Sequence, residues 1–91
     1  MTLKLFLLMH QVMSELKTLN LLKEGQEGII HEFTDDRMAS KLLSMGVLPS
    51  KNLQLVRRAP FGGGFYVKID GQNIALRLEE ARNIVLVMKR L

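Results

Sequence analysis

The sequence predicts a small, mainly β domain: a barrel of about five short strands, with one short helix between the first two and a helical turn before the last. Three observations carry this. Phe65 to Asp70 alternates Phe65, Val67 and Ile69 against Tyr66, Lys68 and Asp70, the period of a half-buried strand. Asp70-Gly71 then gives a hairpin turn, and Gln72 to Arg77 returns with Ile74 and Leu76 inward. Asp35 to Pro60 holds a capped helix, a glycine stop, a proline turn and a strand ending in two arginines.

From the start, Leu5, Met9, Val12 and Leu16 keep helical spacing, so Thr2 to Lys17 reads as an amphipathic helix. Residues 1–18 are assigned to an N-terminal extension and 19–91 to the barrel. The extension is expected to pack on the barrel or to join a second copy into a homo-oligomer. Its apolar cluster, Leu3 to Met9, is too short to cross a bilayer, and no cleavage site of small residues follows it. Met13-Ser14-Glu15-Leu16 would itself make a natural start, so the alternative expectation is that residues 1–12 are an upstream extension of the reading frame.

Leu19 to Gly25 reads as a turn entering the domain. Gly28 to Phe33 is the first strand, and its adjacent Ile29 and Ile30 point to opposite faces. Asp35 or Asp36 caps the helix. Met38, Leu42 and Met45, with Ala39 and Leu43 beside them, form its apolar stripe, while Arg37, Ser40, Lys41 and Ser44 take the other side. Gly46 stops it in a left-handed conformation, and Pro49 prevents a restart. In Asn52 to Arg58, two successive arginines cannot both stay on the wet side of an ideal strand. The strand therefore ends or bulges at Arg57, or Arg57 sits at the rim beside a carboxylate. Pro60 to Gly64 is a glycine-rich loop with Phe61 at its tip. No helix follows to bind phosphate there, and no Lys-Ser/Thr pair completes a P-loop. Leu78 to Asn83 makes one helical turn. Ile84 to Lys89 closes the domain, with apolar residues on both faces.

Ninety-one residues with 47% hydrophobic content make one domain that buries only ~60–65% of its unfolded surface. The chain has no cysteine, which removes disulfides, thiolate metal sites and cysteine nucleophiles. Its net charge of +4 suits an acidic protein surface or another anionic partner. The basic residues are dispersed, whereas nucleic-acid binders concentrate them and add stacking aromatics. A nucleic-acid-binding barrel using Tyr66, Lys68, Arg57 and Arg58 is therefore the weaker alternative. His10 and His31 lack ligand partners at metal spacing and read as surface or half-buried residues. Glu79 and Glu80 are neighbours on a helical turn and diverge by about 100°. No catalytic set, cofactor or metal ligand group is legible, so the residues read as a non-enzymatic binding module.

Leu42 to Pro49 (LLSMGVLP), Val56 to Pro60 (VRRAP) followed by glycine, Ile74 to Arg77 (IALR) and Glu80 to Val85 (EARNIV) with Val87 together resemble the FeoA family of bacterial ferrous iron uptake. The likeness runs in order over about residues 16 to 89. It implies an SH3-like barrel, a cytoplasmic location and action with the membrane transporter FeoB, whose cytoplasmic part is a GTPase. A direct ferrous iron carrier or sensor is the alternative in the same setting. Many members carry aspartate and proline where this chain has Gly63-Gly64, so its loop is expected to be more mobile. The mechanism expected from the basic and exposed apolar residues near the glycine-rich loop is docking without chemistry, through Leu48, Arg57, Arg58, Pro60 and Phe61. Gly46, Pro49 and Gly71 hold the turns.

Overall fold

All five runs read as strands enter one antiparallel sheet, and a sixth, shorter strand joins them. The computed structural model describes residues 15–89. Its elements in chain order are β1 (Leu16–Thr18), a 3-10 turn (Leu19–Leu21), β2 (Glu27–Phe33), α1 (Asp36–Ser44), β3 (Asn52–Arg58), a second 3-10 turn (Pro60–Gly62), β4 (Phe65–Ile69), β5 (Gln72–Leu76), α2 (Leu78–Arg82) and β6 (Ile84–Met88). The sheet order is β1-β6-β2-β3-β4-β5.

The first strand corrects the reading of the extension. Leu16 to Thr18 was expected to end a helix or follow it, but these residues pair with β6, Leu16 opposite Val87 and Thr18 opposite Val85. The reason is tertiary: a free edge of β6 supplies hydrogen bonds that override a helical spacing set by residues upstream. The remainder of the expected helix, and the oligomer contact assigned to it, lie outside the described residues.

Alternation places the core as expected. Leu53 and Leu55 of β3, Phe65, Val67 and Ile69 of β4 and Leu76 of β5 are buried together with Ile30, Ile84 and Leu86. Leu19 and Leu22 close the core beside β1, Ala81 closes it from α2, and Leu42 and Val47 from α1 and its exit. Of the two isoleucines in β2, Ile30 faces the core and Ile29 is half-buried. Two register shifts bend the sheet. One falls between Ile30 and Glu32 and leaves His31 exposed as the extra residue of β2. The other falls between Leu55 and Arg57 and makes Val56 the extra residue of β3, a bulge that turns Arg57 to the outer face opposite Tyr66 and sets Arg58 opposite the buried Phe65.

Helix α1 begins where expected. Asp35 has extended backbone, and its carboxylate accepts the Arg37 N–H at 2.9 Å. It ends at Gly46, whose φ of +93° is left-handed, and the Val47 N–H returns to the Leu42 carbonyl at 3.0 Å. The β4–β5 turn is also as read. Asp70 (φ +50°) and Gly71 (φ +79°) are both left-handed, as a two-residue type I′ hairpin requires.

A link between the two helices was not legible. Glu80 is 4% exposed and accepts the Arg77 N–H at 2.8 Å, capping α2, while its other oxygen meets Lys41 Nζ of α1 at 2.7 Å. Burial alone would raise the Glu80 pKa. The Arg77 hydrogen bond and the Lys41 ammonium outweigh it, and the carboxyl is held below its ordinary value. A lowered folded-state pKa stabilises the fold above the unfolded value of about 4.3, and that contribution is lost as pH falls through the folded pKa. Glu80→Gln should therefore lower stability by about 1–2 kcal/mol at neutral pH and flatten the acid limb of the melting profile below about pH 4.5. Melts of both proteins across that range check this; parallel profiles would remove the linkage.

Candidate docking surface

The residues expected to form one surface are divided between the two ends of the barrel. Leu48 and Pro49 precede β3, in the turn after α1. Pro60 and Phe61 follow β3 at its far end. Seven residues of strand separate them by roughly 20 Å. The near end holds Leu48, which is 40% exposed, Pro49, and the Asp70-Gly71 turn tied to Lys51 by a 3.1 Å ion pair with Asp70. The far end holds the two arginines and the glycine loop. Leu48 is therefore not part of the Phe61 surface.

At the far end Phe61 stands out of the protein. Its side chain is 105% exposed, and its φ of +58° is left-handed. A bulky residue in that conformation is strained by about 1–2 kcal/mol, and no buried contact of its side chain offsets the strain. Leu78 (40% exposed) and Leu21 (63% exposed) flank the same end. Leu78 lines a shallow cleft with Arg58, Ala59, Gly62, Gly64 and Phe65.

The two arginines have different tasks. Arg58 is exposed but tied back to the fold: its guanidinium donates to the Leu22 carbonyl at 2.7 Å and to the Asn20 carbonyl, and lies 5.3 Å from the Phe65 ring centre. Its own N–H donates to Glu24 at 3.0 Å. It fastens the first 3-10 turn to β3, which leaves little of its charge for a partner. Arg57 is exposed and lies 5.8 Å over the Tyr66 ring. No carboxylate pairs with it among the described residues, so the ring takes the place of the acid considered from the sequence.

Arg57, Val56, Tyr66, Val67 and Asn73 line an open groove of about 370 Å³ on the outer face of β3, β4 and β5. Sequence reasoning named Arg57 but missed Val56 and Asn73. The bulge that turns Val56 outward, 49% exposed, was the available signal. Among the described residues no group of three or more His, Asp or Glu side chains converges as a metal site. No helix among them is long and apolar enough to cross a membrane.

Comparison with known proteins fits this geometry. A Campylobacter jejuni protein bearing the name Fe(2+) transport protein A is 34% identical over 68 residues, covering 74% of this chain and 92% of that one. A crystal structure of an iron uptake regulatory protein, FeoA, matches with a TM-score of 0.72 at 21% identity, over 81% of this chain and 99% of that one. Stenotrophomonas maltophilia FeoA, solved with zinc and described as a prokaryotic SH3 domain protein, gives 0.66 at 23% identity, over 81% and 96%. The mainly β, SH3-like architecture agrees with the strand pattern read from the sequence. The FeoA domain profile matches residues 17–88, from the edge strand β1 to the end of β6, and the chain belongs to the FeoA family.

Proposed function

We propose that this chain is a non-enzymatic accessory protein of ferrous iron uptake, working at the cytoplasmic face of the membrane by docking on the GTPase portion of a FeoB-like transporter. The observation that carries the reading is Phe61, fully exposed and held in a strained backbone conformation at the far end of the barrel. Strain at an exposed aromatic tip is retained where the tip has a use. Exposed aromatic residues beside an arginine also make strong anchors for a partner protein. Leu78 and Leu21 extend the apolar contact, and Arg57 supplies a cation for an acidic surface.

Pull-down of the transporter's soluble GTPase portion tests this. Phe61→Ala should weaken binding about tenfold or more while leaving the melting temperature unchanged, because alanine keeps the same backbone conformation and removes only exposed ring. Arg57→Ala should weaken binding less, and the difference should shrink at high salt, as for exposed charges. Arg58→Ala is a poor probe, since losing three internal hydrogen bonds would loosen the 3-10 turn. Full binding by Phe61→Ala would remove the far end as the contact surface.

A further inference from the structure

The two edges of the sheet differ. β1 is three residues long and carries Lys17, and a short, charged edge resists unwanted pairing. β5 is five residues long and reads Gln72-Asn73-Ile74-Ala75-Leu76, with no charge, proline or bulge. The type I′ turn makes Ile69 and Gln72 a hydrogen-bonded pair, so Val67–Ile74 and Phe65–Leu76 are hydrogen-bonded as well. Asn73 and Ala75 belong to the alternate pairs, and their N–H and C=O groups point away from β4. No other described segment accepts or donates there.

Beside this open edge the outer face carries two cross-strand rows. Arg57 lies opposite Tyr66, and Tyr66 opposite Ala75. Gln54 lies opposite Lys68, and Lys68 opposite Asn73. Each row has a cation set back from the edge and a small neutral residue at the edge itself. Ala75 leaves the path to the Tyr66 ring and the unpaired Arg57 guanidinium uncovered. Lys68 shares its cleft with Glu27 and Asp70, so the Arg57 row has the larger unmet charge. The groove of Val56, Arg57, Tyr66 and Asn73 runs between the rows.

We propose that β5 is a strand-addition site for an extended acidic segment of a partner protein. The segment pairs antiparallel with Asn73 and Ala75 and places carboxylates two residues apart over the two rows. Adding a strand gives main-chain hydrogen bonds, and alternate side chains give the selectivity. A second copy of this chain fits less well, because β5 pairing with β5 would bring two chains of charge +4 together and leave each Arg57 unmatched. The surface stands without the transporter reading, which bears only on who supplies the segment.

The probe is a ten-residue peptide of alternating threonine and glutamate, titrated into the isotopically labelled full chain and followed by amide resonances. Amide shifts and slowed hydrogen exchange should centre on Asn73 and Ala75. A peptide with lysine for glutamate should bind at least about tenfold more weakly. Ala75→Pro removes an outward N–H without touching the β4 ladder, as an edge strand tolerates, and should abolish binding. Ala75→Glu keeps the N–H and should weaken the acidic peptide alone. No perturbation at these residues by either peptide, equal binding of both, or a folded Ala75→Pro that binds normally would overturn the proposal. So would a concentration-dependent dimer that Ala75→Pro disperses, which would give the edge to a second copy. Failure to capture the transporter while the peptide behaves as stated would count against the transporter alone.

Discussion

Gly64→Ala is expected to lower the melting temperature by about 10–20 °C, from a loss of roughly 2–3 kcal/mol. Two independent penalties meet at this residue. Its φ of +128° lies where side chains are rarely found, and a Cβ there would sit 2.9 Å from the Leu76 carbonyl oxygen. That oxygen cannot move away cheaply, because Leu76 is paired with Phe65 in the β4–β5 ladder. The Ala59 N–H also donates to the Gly64 carbonyl at 2.9 Å, so the loop cannot swing out without opening its own closure. Thermal denaturation checks it, and a variant melting within ~3 °C of the parent would mean that the Pro60–Gly64 loop repacks. Proline fixes φ near −65°, so a proline at residue 64 could not follow this backbone either.

Leu42→Ala should cost about 2–5 kcal/mol, whereas Leu43→Ala should stay within about 0.5 kcal/mol. The two residues are neighbours in one helix and differ only in where they point. Leu42 is 0% exposed and Leu43 is 45% exposed. Helix α1 has nine residues, too few to be stable alone, so its attachment to the sheet rests on Leu42 with help from half-buried Met38 and Met45. Removing Leu42 should therefore loosen the helix as well as leave a cavity. Denaturant melts followed by helical circular dichroism separate the pair; equal losses would mean that α1 docks by another face.

The apolar stripe of α1 was legible in the sequence, and its width was overread. Spacing grouped Leu43 with Met38, Leu42 and Met45, but a helix over a curved sheet meets it along a narrow line. The turn residues were legible for a simple reason: Asp70, Gly71 and Gly46 have backbone requirements that their own residue types announce. The bulge at Val56 could be argued from the misfit of Arg57 and Arg58. β1 could not, because three residues held only by pairing with β6 carry no local pattern. Nor could the role of Arg58, whose acceptors are backbone carbonyls of Asn20 and Leu22, groups that every residue possesses. Lys41 was placed on the polar side of its helix and Glu80 on a separate helical turn, and only the fold sets them 2.7 Å apart. The candidate surface was half legible. Phe61 and Arg57 stand out as read, while Leu48 falls at the opposite end because a strand's length intervenes.

The sheet order has a consequence for synthesis on the ribosome. β2 to β5 are neighbours in sequence and can form as they are made. β6, however, lies between β1 and β2 and is translated after both. Until it emerges, Leu19, Leu22 and Ile30 lack the cover of Ile84 and Leu86, and β2 offers a bare edge to anything nearby. The nascent chain thus waits, incompletely shielded, for its final strand, and a stall before Ile84 would leave a product that sticks to its neighbours rather than a smaller folded protein.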